Sequence, residues 1–108
     1  MNYKLKVESA LSTLGMPVKP LTYAGSDKPY CVFQRYNLQG VQYTEGREKV
    51  TAHYIQVDIY GSTDMTEFGD KAESLMIAAG ATRIGGQSMY EDDTKLYHDS
   101  RDYLFEEI

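Results

Sequence analysis

The most regular stretch of the chain is Val50 to Tyr60, where Ile55, Val57 and Ile59 alternate with Tyr54, Gln56, Asp58 and Tyr60. That period of two predicts a strand with one face turned inward. The period then changes. Met65, Phe68, Ala72, Leu75, Met76 and Ala79 fall on one helical stripe, Asp64 with Glu67 resembles a capping box, and Gly80 stands just past the last apolar position. A helix of about 25 Å follows. Gly69 inside it weakens helix propensity by about 1 kcal/mol relative to alanine, which points to close packing on the sheet.

Earlier in the chain, Val7, Ala10, Leu11 and Leu14 sit at helical spacing between Asn2, a capping residue, and Gly15, a stop, so a first helix is expected over Asn2 to Leu14. Pro17 and Pro20 flank Val18 to Tyr23, which reads as a short edge strand, because proline has no ladder donor and disfavours helix before it. Tyr30 to Tyr36 is β-prone and reads as a strand. Asn37 to Lys49 alternates weakly, contains Gly40 and Gly46, and reads as a long mobile loop or flap. Thr82 to Tyr90 and Lys95 to Glu107 complete the strands around an acidic turn at Glu91, Asp92 and Asp93. The order α-β-β-β-α-β-β predicts an α+β fold: two helices packed on one face of a mainly antiparallel or mixed sheet of four to five strands.

Length and composition narrow the class. With 108 residues, 42% apolar and 25% charged, the chain reads as one domain, 1–108. Surface scaling lets about 65% of its area be buried, enough for one core. The lone Cys31 forms no internal disulfide and supplies no thiolate pair for zinc. Met1 to Lys6 has no apolar leader-like run, and nothing approaches a membrane span, so cytoplasmic synthesis and a soluble life without membrane attachment are expected. The net charge of −5 argues against specific nucleic-acid binding. Ten tyrosines and no tryptophan suit half-buried strands and surfaces that a partner covers.

The candidate chemistry is thin. His53 and His98 lie in separate strands from Cys31, so a Cys–His pair needs several strands to converge. Asp58 points to the face opposite Val57 and Ile59, as a base, a metal ligand or, the preferred reading, a structural ion pair with Arg35 or Arg101. Glu91, Asp92 and Asp93 lack the ligand spacing of a calcium loop, and Gly80, Gly85 and Gly86 match no phosphate-binding pattern. No cofactor, metal or catalytic residue is assigned. The rival to a structural role is a small binding module or accessory enzyme using the Asp58 face, with Tyr54, Tyr60 and His98 as its pocket.

Several strings carry a resemblance: Met16-Pro17-Val18 after the first helix, Pro29-Tyr30-Cys31-Val32-Phe33, His53-Tyr54-Ile55-Gln56-Val57-Asp58-Ile59-Tyr60, Ala78-Ala79-Gly80, and Tyr90-Glu91-Asp92-Asp93-Thr94-Lys95-Leu96-Tyr97-His98 followed by Arg101. In these the chain resembles the tail-terminator, or tail-completion and head–tail joining, proteins of long-tailed bacteriophages. The resemblance implies a non-enzymatic protein of the virion, at the head-proximal end of the tail. Such a protein forms a ring with itself, usually a hexamer, stops growth of the tail tube and meets the tail tube protein and the head–tail connector proteins. Another neck or tail component is the alternative within that class. A ring needs two complementary surfaces on each copy, and Arg47, Glu48 and Lys49 with Glu91, Asp92 and Asp93 are the expected opposite-sign pair.

Overall fold

Each stretch of strong periodicity becomes an element, and the weakly periodic stretch becomes more ordered than its pattern suggests. The computed structural model describes residues 1–25, 28–42 and 49–108, and for 41 and 42 the backbone alone. The elements are α1 (Tyr3–Ala10), β1 (Val18–Pro20), β2 (Tyr30–Gln42), β3 (Lys49–Gly61), α2 (Thr66–Ala78), β4 (Thr82–Glu91) and β5 (Leu96–Glu107). The strands form one sheet in the order β1-β2-β3-β5-β4. The β1–β2 pair is parallel and the other three are antiparallel, so the sheet is mixed.

The first helix starts as expected, with Asn2 Oδ1 accepting from the Leu5 amide at 3.2 Å. It ends at Ala10 rather than Leu14: Leu11 to Leu14 tighten into a turn, with the Leu14 amide donating to the Leu11 carbonyl at 3.0 Å. That turn still delivers Leu11 and Leu14 to the core. In α2 the expected Asp64–Glu67 capping box is absent; Asp64 Oδ1 instead accepts from the Thr66 amide at 3.0 Å and the Thr66 hydroxyl at 2.7 Å. The helix closes in a Schellman motif, the Gly80 amide donating to the Ile77 carbonyl and the Ala81 amide to the Met76 carbonyl, both at 3.0 Å. Gly80 has φ +101°, a conformation in which a Cβ is strained.

The core lies between the two helices and one sheet face. Val7, Leu11, Leu14, Met65, Ala72 and Met76 meet Phe33, Ile55, Val57, Ile59, Tyr103 and Phe105. Phe68 and Leu75 are half-buried at its margin.

The expected loop at Asn37 to Lys49 is corrected over its described part. β2 runs on through Gln42, pairing Asn37 with Tyr54 and Gln42 with Lys49. A register shift between Arg35 and Asn37 inserts Tyr36 as an extra residue, which breaks the period-two pattern that would have announced the strand. Residues 43–48, including Arg47 and Glu48, lie outside the described residues. The expected strand at Val18 to Tyr23 shortens to Val18–Pro20, ending before Leu21 with φ 68°. The long β2 and β3 give the molecule its elongation, 52 × 24 × 23 Å.

Candidate functional site

The helices cover one face of the sheet, so every second residue of β2, β3 and β5 points away from them. Asp58 pairs in register with Val32 and Ser100, and Tyr60 with Tyr30 and His98, so these side chains share the uncovered face. They form a connected polar layer. His98 Nε2–H donates to Asp58 Oδ1 at 2.8 Å, and His98 Nδ1 lies 3.4 Å from Glu91 Oε2. Gln56 Nε2 donates to Ser100 Oγ at 3.0 Å and to Asp58 Oδ1 at 3.3 Å, and accepts through Oε1 from Gln34 Nε2 at 3.2 Å.

Beside this layer runs a stack of rings. Tyr23 lies on Tyr30 at 4.8 Å between centroids, Tyr30 on Tyr60 at 5.2 Å and Tyr60 on His98 at 4.1 Å. The rings use their faces on one another. Burial alone would pull the His98 pKa down, but its hydrogen bond to Asp58 and the charges of Asp58 and Glu91 outweigh that and raise it. Burial, reinforced by Asp58 and Glu91, pushes Tyr60 up to about 12.

The ion pair expected of Asp58 with Arg35 or Arg101 is corrected. Arg35 pairs in register with Ile55 and Arg101 with Val57, which places both on the helix-covered face, across the sheet from Asp58. Arg35 sits over the Tyr3 ring and donates to His53 Nδ1 at 3.3 Å, while His53 Nε2 donates to Glu107 at 3.1 Å. The N-terminal ammonium and then His53 hold Glu107 below the usual carboxylate range. Cys31 is fully buried on the helix face, where burial and then the Asp58 charge push its thiol up to about 12. The structure therefore separates Cys31 from both imidazoles. Of the rival pocket, Tyr60 and His98 come together with Asp58, whereas Tyr54 packs near Tyr36 at 6.1 Å, further along the strand.

The sequence pattern missed a second cluster, beneath α2. Arg101 Nε donates to Asp99 Oδ1 at 2.9 Å, Nη1 to Glu73 at 3.0 Å and Nη2 to Asp70 at 2.9 Å. Ser88 Oγ donates to Asp99 Oδ2 at 2.8 Å. Asp99 is 1% exposed, and Gly69 makes the room: a Cβ there would lie well under 3.0 Å from its carboxylate. The signal was the parity of Asp99 and Arg101 with Tyr103 and Phe105, read together with Gly69. Clefts of about 240 Å³ and 300 Å³ flank β4, the first lined by Asp64, Thr66, Ser88 and His98 and the second by Asp70, Glu73, Arg83 and Arg101.

The charged segments stand apart. Lys49 is exposed at the start of β3. At the opposite end of the strands, Asp92 and Asp93 are exposed, Thr94 Oγ1 donates to Glu91 at 3.0 Å, and the Thr94 amide donates to Asp93 at 3.1 Å. Among the described residues no group of three His, Cys, Asp or Glu is placed to hold a metal ion, and no helix is long and apolar enough to cross a membrane.

No protein-family model and no curated protein matches the chain. In fold it is similar to a chain in the virion of a native gene transfer agent particle, with a TM-score of 0.54 over 93% of this chain and 82% of that one, at 6% identity. The likeness is one of overall fold, over nearly the whole of this chain.

Proposed function

We propose that this protein is a non-enzymatic virion assembly protein, which forms a ring, of six copies, on the head-proximal end of a phage tail tube. The ring ends tube growth and joins the tail to the head, so its partners are further copies of itself, the tail tube protein and the head–tail connector proteins. The observation that carries this reading is the fold likeness to a virion chain across nearly the whole length, alongside the sequence resemblance to tail-terminator proteins. The site chemistry is in keeping with it: Asp58 and His98 are spent on each other, and the nearby rings stack on themselves.

In this reading the charged segments are docking surfaces. Lys49, which Arg47 and Glu48 precede in the sequence, and the Glu91, Asp92 and Asp93 turn lie at opposite ends of the sheet. In a ring whose strands are inclined to its axis they belong to its two rims, one toward the tube and one toward the head. The test is electron microscopy of tails assembled with and without the protein, alongside native mass spectrometry of the protein itself. Tails of uniform length that join heads only when it is present, capped by a ring, are expected. Tails of normal length and normal joining in its absence would end the proposal.

A further inference from the structure

The sheet has two unpaired edges, at opposite sides, and they match one another. β4 is the last strand on one side, and its residues are mostly exposed from Thr82 to Glu91. On the other side, β1 covers β2 only at Cys31, Val32 and Phe33, so the outer edge of β2 beyond Phe33 has no strand partner among the described residues. Open backbone edges are templates for another strand and are normally blunted by charge, proline or a short length. Pro20 and the brevity of β1 blunt that side locally. Asn37 to Gln42 and Ile84 to Tyr90 contain no charge or proline, and the register shifts at Tyr36 and Ile84 fall at one end of each stretch; exposed apolar side chains flank both, Tyr36 and Leu38 on β2 and Ile84 and Tyr90 on β4.

We infer that β4 of one copy pairs antiparallel with the outer edge of β2, from Asn37 to Gln42, of the next copy. This inference rests on the ring reading and specifies its joint. Strand direction alternates across β2, β3, β5 and β4, so a head-to-tail neighbour presents β2 antiparallel to β4 without inversion. The contact joins two different edges, which is the heterologous type that closes into rings.

The offset is also set. Gln87 is level with Ser100 and Asp58, whereas Gln39 is level with Ala52, about six residues further along β3. β1 blocks the unshifted joint, so the neighbour must slide by that offset. A slide of about 20 Å across four strands spanning about 19 Å tilts the strands by about 45° to the ring axis, at the edge of the range that closed sheets adopt. Gln39 and Gln87 then meet on the same, helix-free face.

Cysteine cross-linking tests the joint. Within one chain Gln39 and Gln87 are three strand spacings apart across the sheet, about 14 Å, and about 20 Å apart along it, far beyond the reach of a disulfide, and Cys31 is buried. Chains carrying Gln39→Cys with one of Gly85→Cys, Gln87→Cys or Met89→Cys should oxidise to a ladder of covalent multimers ending at the ring size. Each single variant should stop at dimers or remain monomeric. A ring in native mass spectrometry with no ladder from any of the three pairs would overturn the joint and leave the ring reading standing. A wild-type chain that stays monomeric, alone and on assembled tails, would overturn both. As a second measurement, Ile84→Lys with Gln87→Lys should leave the circular dichroism unchanged and raise the concentration needed for assembly at least tenfold.

Discussion

Replacing Gly69 by alanine reverses the usual effect of that substitution in a helix. At an exposed helical site the change stabilises by about 1 kcal/mol, because glycine loses more backbone freedom on folding. Here the new Cβ would stand well under 3.0 Å from all three carboxylate atoms of Asp99. Asp99 has little room to yield, since it is 1% exposed and bonded to Arg101 Nε at 2.9 Å and Ser88 Oγ at 2.8 Å. Either α2 lifts from the sheet, at about 1 to 3 kcal/mol for overpacking, or the carboxylate leaves its partners, at about 3 to 5 kcal/mol for a broken buried pair. The cheaper route prevails, so set against the helix gain Gly69→Ala should destabilise by up to about 2 kcal/mol. In a chain carrying Asp99→Ala the obstacle is gone, and the same change should be neutral or stabilising by up to about 1 kcal/mol. Urea unfolding of the four chains of this cycle measures the coupling from the midpoints, provided the slopes agree. An equal effect of Gly69→Ala in both backgrounds, within about 0.5 kcal/mol, would refute the claim that Asp99 is what the glycine accommodates.

The His98 pKa is raised in the fold above its ordinary 6.5, so the stabilisation from its carboxylate neighbours is fully present below pH 6.5 and is lost as the pH climbs through the raised value. Thermal melts should show stability falling over that window in the wild type, and His98→Gln should remove that part of the fall. Met76→Ala should cost about 2 to 5 kcal/mol and Leu75→Ala about 1 to 2 kcal/mol, because Met76 is fully buried and Leu75 only half so; equal losses in urea unfolding would contradict that placement. Reversing Arg47 and Lys49 to glutamate should change folding stability by no more than about 1 kcal/mol yet weaken docking, read as tails that lengthen or fail to join heads.

Element order and the choice of buried face were legible in the residues themselves. Ile55, Val57 and Ile59 recur at period two, and Ala72 and Met76 at helical spacing, because burying apolar area is a local demand that each element must meet whatever it packs against. Gly69 inside α2 likewise announced a close approach. What the pattern left dark depends on which strands become neighbours. Asp58 was legible as facing away from the core, but its partner was not: sheet order sets β5 beside β3 in a register that brings His98 to Asp58 and turns Arg101 to the other face. The extension of β2 was hidden because one inserted residue, Tyr36, resets the alternation, and only pairing with β3 supplies the backbone partners that keep Asn37 to Gln42 extended. The open edges follow from the same cause. Whether a backbone amide is paired or exposed is a property of the assembled sheet, decided by hydrogen bonds between segments far apart in sequence, and no local pattern of side chains encodes it.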